Sequence, residues 1–239
     1  MRWIQKGAPP GCLAALRKEM LRVERATGKP TQPADWSPGS CSDPIYKALH
    51  RDQFGLCGYC TQRIQPIGHR DHPPPIGNGG MRIEHMVTRD AEPTRMYDWD
   101  NLLGVCGGRT RTPDGGTEDH CDRKRGGQTL STNPTRRAPD PSEIFTYRRC
   151  PDTDHLLMDG PAQDIERLNL NHPGLAQRRR DAEKGIATRL ATAKKPVERR
   201  KLLERELVTA TTPDSQGTLP EFAPVIERYI RKKLRSADP

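Results

Sequence analysis

The chain has 239 residues, of which 32% are hydrophobic, 5% aromatic and 30% charged, with a formal charge of +9. So few apolar side chains predict a small domain with helical additions and a modest core that needs a staple such as bound metal. No run approaches the roughly 20 apolar residues of a membrane span, and the opening "MRWIQKGAPPGCLAAL" lacks the apolar segment and cleavage site of a secretion signal, so a soluble cytoplasmic protein with no membrane partner is expected.

Residues 12–28 place Leu13, Leu16, Met20 and Val23 at helical spacing and stop at Gly28, an amphipathic helix with a glycine stop. A loop is expected over 29–42. "SDPIYKALHRDQF" then predicts a second helix, with Asp43 as N-cap, Pro44 at the first helical position, and Ile45, Leu49 and Gln53 on one side. It delivers the chain to Cys57. Proline and glycine make 66–80 an irregular loop, and "MRIEHMV" (81–87) reads as a short strand.

"DWDNLLGVC" leads into a Gly-, Thr- and Asp-rich excursion that ends at His120, and "HCDRKRGG" predicts a helical turn soon stopped by glycine. "EIFTYRR" (143–149) and "HLLMDG" (155–160) read as a β-hairpin. The remainder is helical in pattern, broken at Pro173 and Pro196, with Ile226, Tyr229, Ile230 and Leu234 on one face of the last segment. Three regions follow: an N-terminal helical segment (1–56), a metal-stapled core with trailing hairpin (57–171) and a basic helical region (172–239).

Charge divides unevenly among them. Residues 1–171 hold 24 Lys/Arg against 22 Asp/Glu, net +2, whereas 172–239 hold 16 against 9, net +7. The excess predicts a polyanionic partner, most simply nucleic acid, reached chiefly through the C-terminal helices.

Seven cysteines, odd in number and unevenly spaced, predict metal binding rather than a disulfide framework. Cys57 and Cys60 in "LCGYC" have the C-x-x-C spacing that lets two thiolates of one turn meet a tetrahedral zinc. Cys106 and Cys121 flank the Gly-rich excursion and complete a four-cysteine structural Zn²⁺ site, with His120 as a possible substitute for Cys121. Cys12, Cys41 and Cys150 have no partner at ligand spacing and read as ordinary thiols.

Glu84 and His85 sit side by side. In a strand, adjacent side chains point to opposite faces, so the pair is open to a structural reading, one exposed and one half-buried. The alternative is chemical. Hydrolysing a phosphodiester needs a water deprotonated near neutral pH, for which imidazole has a suitable pKa, and a cation on the scissile phosphate. Glu84 and Asp122 are hard oxygen ligands that suit Mg²⁺ or Mn²⁺.

The order Cys57-x-x-Cys60, Glu84-His85, Asn101, Cys106, Cys121-Asp122 resembles the H-N-H nuclease family. That resemblance implies an α+β fold with a small zinc-stapled ββα-metal (HNH/His-Me finger) core between N- and C-terminal helices. It implies His85 as general base, Glu84 and Asp122 as ligands of a catalytic ion, and Asn101 as the brace of the loop. Asp122 departs from the family, in which His or Asn commonly follows the last cysteine. Arg123 and Lys124 are candidate phosphate contacts, with a solvated basic turn the alternative. "MRWIQKGAPP", "LCGYCTQRI", "RIEHMVTRD", "DWDNLLGVC", "HCDRKRG" and "LNLN" together are similar to the H-N-H nucleases of retron and Septu antiphage systems (PtuB-like). Membership would imply a DNA endonuclease effector working with an ABC/SMC-like ATPase of the PtuA type. An RNA (tRNA) nuclease of such a system, and a non-catalytic zinc-knuckle nucleic-acid-binding protein, are the competing expectations.

Overall fold

A computed structural model describes residues 1–65, 80–111 and 115–236, so the loop expected at 66–80 lies, except for Gly80, outside the described residues. Helix α1 (Gly11–Thr27) ends where predicted: Gly28 takes a left-handed φ of 65° and its N–H reaches the carbonyl of Glu24. Leu13 is buried and Leu16 and Met20 pack against the core, but Val23 is 44% exposed, because the stripe runs past the edge of the body beneath it. Helix α2 (Ser42–Asp52) starts one residue before the expected cap. Asp43 caps nothing; it lies inside the first turn and pairs with Lys47 at 2.7 Å. Ile45, Leu49 and Gln53 are buried as their spacing predicts.

The thiol reading of Cys12 and Cys41 is wrong: the two form a disulfide, Cα atoms 5.7 Å apart, joining the start of α1 to the 3-10 turn that precedes α2. Their separation of 29 residues hides the pairing from any argument based on ligand spacing. Cys150 is free and half-buried.

Strands β1 (Met81–His85) and β2 (Leu102–Cys106) pair antiparallel, with Glu84 opposite Leu103 and His85 opposite Leu102. Every residue of β2 is buried. Gln53 fastens α2 to this strand, its Nε2 donating to the Gly104 carbonyl (2.6 Å) while its Oε1 accepts from the Gly104 N–H (2.6 Å). The excursion after Cys106 is a second hairpin, β3 (Arg109–Arg111) and β4 (Thr117–Asp119), which returns the chain to α3 (Asp122–Arg125), a single helical turn.

The third hairpin is β5 (Thr146–Arg149) with β6 (Leu156–Asp159), shorter at its start than expected. Residues 143–144 belong instead to α4 (Pro141–Ile144), where the Asp140 side chain accepts from the Ser142 N–H and Pro141 occupies the first position. Four helices close the chain: α5 (Ala162–Arg167), α6 (Pro173–Thr192), α7 (Pro196–Thr211) and α8 (Ala223–Arg235). None of the helices is long and apolar enough to cross a membrane, among the described residues.

The architecture is mixed α+β with two-stranded sheets. One apolar cluster runs from Met1 through α1, α2, the cysteines and β2 to Leu168, Leu170 and Leu175, so segment 1–56 shares its core with 57–171. A second cluster, Ile186, Leu190, Leu203 and Ile230, with Ile226, Tyr229 and Leu234 against it, binds α6, α7 and α8 together.

Candidate active site and metal centre

The four predicted cysteines converge. Cys57 and Cys60 lie on a tight turn held by Cys57 N–H to Gln62 O (2.8 Å) and Gly58 N–H to Gly104 O (3.0 Å). Cys106 ends β2, and Cys121 opens α3 from a positive φ of 53°. Their sulfurs lie within 4.8 Å of one another, Cys57 to Cys121 at 3.9 Å and Cys60 to Cys106 at 3.7 Å. Zinc bonded to four sulfurs at about 2.3 Å sets them roughly 3.8 Å apart, close to these two separations, so the cage suits that ion. Among the described residues it is the one group of three or more candidate ligands so arranged.

Burial pushes the Cys57 thiol up, but hydrogen bonds from Cys106, Cys121 and Cys60 outweigh it and bring that thiol well below its ordinary value. Cys121, by contrast, is raised by burial and by its sulfur neighbours. A dication held by the four sulfurs would supply the charge that lets all of them ionise.

His120 is beside the cage rather than in place of a sulfur. Its Nδ1 is 3.2 Å from Cys121 Sγ and 3.8 Å from Cys106 Sγ, while Nε2 meets Thr110 Oγ1 at 2.9 Å. Burial lowers its pKa to about 4, so the ring is neutral, with Nδ1–H placed to donate to sulfur and Nε2 to accept the Thr110 hydroxyl.

Glu84 and His85 are both buried, 7% and 8% exposed, which departs from the one-in, one-out pattern of a strand end. His85 Nε2 is 3.1 Å from the Met96 carbonyl. A carbonyl only accepts, so the proton sits on Nε2 and the lone pair on Nδ1. Trp36 meets the imidazole edge-on, centroids 4.6 Å apart at 89°. Burial brings the His85 pKa down to about 4, against the opposing hydrogen bond to Met96, leaving a neutral imidazole.

Asn101, 1% exposed, ties down the chain after β1. Its Oδ1 accepts from Val87 N–H (2.7 Å), and its Nδ2 donates to the carbonyls of Val87 (3.0 Å) and Arg95 (3.1 Å). The next carbonyl along, that of Met96, is the one that receives His85.

Glu84 Oε1 accepts from Tyr59 Oη at 3.0 Å and from Arg125 Nη1 in a close ion pair. Burial, reinforced by the neighbouring Asp122 carboxylate and opposed by Arg125, pushes its pKa up to about 8. Asp122 in turn pairs with Arg82, Nε to Oδ2 3.2 Å. Two carboxylates brought together under burial share one site's worth of charge, and such a pair accepts either a proton or a cation.

Arg125 and Tyr59 are the residues that the sequence reading missed. Arg125 is 1% exposed and reaches Tyr59 Oη (3.1 Å), the His85 carbonyl (2.9 Å) and the Met86 carbonyl (2.6 Å) besides Glu84. Its neighbours Arg123 and Lys124 are exposed, and Arg123 Nε donates to the Gly107 carbonyl at 2.8 Å. The missed signal was helical: with Asp122 opening a turn, the residue three positions on returns to its side, and the two between do not. Tyr59, inside the C-x-x-C turn, joins the cysteine cage directly to the Glu84 carboxylate. No protein-family model and no curated protein matches the chain.

Proposed function

We propose that this protein is a metal-dependent endonuclease of the H-N-H type, hydrolysing phosphodiester bonds of DNA from a ββα-metal core built on β1, β2 and α3. The observation that carries the reading is the placement of His85, neutral and with Nε2 held by a carbonyl, next to the Glu84–Asp122 carboxylate pair. Its Nδ1 takes the proton from the attacking water. Glu84 and Asp122 would hold Mg²⁺ or Mn²⁺, two carboxylates plus solvent being a donor set these ions accept, and the ion would supply charge neutralisation at the scissile phosphate. Asn101 holds the loop, and structural zinc in the cysteine cage keeps β2, α3 and the Tyr59 turn in register.

The resemblance of its motifs to Septu and retron nucleases supports reading the protein as a cytoplasmic antiphage effector with a PtuA-type ABC/SMC-like ATPase as partner. A catalytic region of net +2 is a weak DNA binder by itself, since non-specific affinity comes from phosphate neutralisation. The basic helices α6–α8 or the ATPase then deliver the substrate, and Arg123 and Lys124, exposed beside Asp122, are the local phosphate contacts.

One observation favours a second reading: Tyr59 and Arg125 already satisfy one oxygen of Glu84, as they would in a zinc-knuckle binding protein whose Glu-His pair is structural. Incubation with plasmid DNA and with bulk tRNA, in Mg²⁺, Mn²⁺ or chelator and with or without the ATPase, separates the readings. The expected result is cation-dependent DNA cleavage that His85→Ala abolishes at unchanged zinc content. Undiminished cleavage by that variant overturns the assignment of the base. Cleavage confined to tRNA moves the substrate to RNA, and zinc-dependent binding without turnover leaves a binding protein.

A further inference from the structure

The disulfide and the proposed base meet in one segment. Residues 29–40 run between Cys12 on α1 and Cys41 ahead of α2, and Trp36 projects from them onto His85. Trp36 also packs on Tyr97, centroids 5.0 Å apart. The Tyr97 hydroxyl accepts from the Ser37 N–H at 3.0 Å and donates to the Asp35 carbonyl at 3.2 Å. Arg89 Nη1 donates to the Pro33 carbonyl at 3.0 Å. These bonds fasten the segment to the loop that Asn101 braces, the same loop whose Met96 carbonyl receives His85 Nε2.

Thus His85 has two holds besides its own strand. Asn101 and Met96 set one, and the other is a surface segment with left-handed glycines near its two ends, Gly28 (φ 65°) and Gly39 (φ 54°), whose Trp36 is half-buried. This proline-rich segment is held in its middle by Trp36 and by its bonds to Tyr97 and Arg89. The Cys12–Cys41 bond confines its ends.

We propose that Trp36 is a positioning residue for His85, and that the Cys12–Cys41 disulfide keeps it in place, so that the alignment of the base depends on the redox state of that cysteine pair. The inference rests on the nuclease reading for its catalytic consequence, but not for its structural one. A dithiol reductant supplies the two electrons and two protons that cleave the S–S bond, closing to its own disulfide and leaving thiols on Cys12 and Cys41. Trp36 then leaves the imidazole, and the ring gains freedom about its bond to the chain. Misalignment of a catalytic group lowers turnover more than substrate binding.

The test compares wild type with Cys12→Ser/Cys41→Ser, Trp36→Ala and Trp36→Phe, without reductant and at matched zinc content. The double serine variant reproduces the open form without exposing the cysteine cage to a dithiol. One measurement is the imidazole NMR spectrum of histidine-labelled protein, with the His85 signals assigned through His85→Ala. The other is kcat and KM on plasmid DNA. Loss of the tether should move the His85 signals toward their Trp36→Ala positions and lower kcat by about tenfold, with KM changed by less than about twofold. Trp36→Phe, which keeps an aromatic edge against the ring, should retain most of the wild-type signal position and rate.

Unmoved His85 signals in a folded double variant overturn the inference, as does an unchanged kcat in both that variant and Trp36→Ala. Should wild type cleave neither plasmid DNA nor tRNA, the nuclease reading fails, while the NMR comparison still decides whether the disulfide places Trp36 on His85. Should the double variant fail to accumulate, wild type reduced by dithiothreitol in excess zinc gives the same two readouts.

Discussion

Glu84 is buried among groups that pull its proton in opposite directions. Burial and Asp122 raise its pKa from 4.5 to about 8, against the pull of Arg125. In the absence of a bound cation the folded chain therefore holds a proton there between pH 4.5 and 8. That contribution to stability is full below 4.5 and is lost as pH rises through 8. A cation bound by Glu84 and Asp122 has to displace this proton. Mn²⁺ affinity should rise about tenfold per pH unit up to about 8 and level off above it, as calorimetric titration at several pH values would read; a flat profile removes Glu84 from the ligand set. His85 runs the other way, its pKa lowered from 6.5 to about 4, so its contribution to stability is lost as pH falls through that interval. The His85 imidazole thus stays neutral throughout the range in which the metal affinity changes. Arg125 is the second residue with a sharp expectation. Above pH 8, where Glu84 is ionised, Arg125→Met keeps the bulk but strands the Glu84 carboxylate, the Tyr59 hydroxyl and two carbonyls, and breaking a buried pair from one side costs about 3–5 kcal/mol. Urea unfolding measures it; a loss below about 1 kcal/mol would mean that solvent reaches these groups readily.

At the level of elements, local chemistry was legible and distant pairing was not. The glycine end of α1, the apolar face of α2, the strand at β1 and the turn at α3 follow from spacing and caps, which act within a few residues. The convergence of Cys57, Cys60, Cys106 and Cys121 was legible too, because tetrahedral coordination demands paired spacings that sequence displays. The Cys12–Cys41 bond carries no such spacing, since a disulfide closes a loop of any length. The start of the third hairpin was misjudged because Asp140 and Pro141 cap a helical turn over residues with strand-like side chains. The β3–β4 hairpin read as an excursion from its composition, yet its base is tightly specified. Gly108 has a φ of 68°, and a Cβ there would lie 2.6 Å from the His120 carbonyl oxygen. That carbonyl precedes Cys121, and the His120 N–H bonds the Gly108 carbonyl at 2.8 Å. Gly108→Ala would add about 1–2 kcal/mol of left-handed strain and force His120 outward. Zinc affinity should fall by at least about tenfold in a chelator competition; wild-type affinity would mean that the hairpin does not position the cage.

On the scale of the whole molecule, the two largest of four apolar clusters among the described residues differ in origin. The larger depends on the cysteines, since Cys57, Cys60, Cys106 and Cys121 are buried members of it and link β2, α3 and the Tyr59 turn. The smaller, Ile186, Leu190, Leu203 and Ile230, belongs to α6, α7 and α8 and contains no candidate metal ligand. Between them stands Arg179 on α6, fully buried, its Nε donating to the Leu156 carbonyl (2.9 Å) and its Nη2 to the Leu170 carbonyl (2.8 Å). The first turns of α6 are thereby tied to the larger core, and the start of α8 reaches the rest of the body as well, Leu219 and Ala223 against Leu56 and Phe222 and Val225 against Leu156. An ion held by the cage would let four thiolates share one buried site, and a core this small would have little else to replace it once removed. Chelation should therefore collapse the near-UV circular dichroism, to which the aromatic residues of the larger core contribute, while most of the far-UV helical signal persists. Thermal scans of the metal-free protein should show a transition for the helical unit that matches the zinc-loaded protein's less steep phase. Loss of both signals in a single step would mean instead that Arg179 couples the two clusters into one cooperative unit, and that the basic helices keep their shape only while the cysteine cage is loaded.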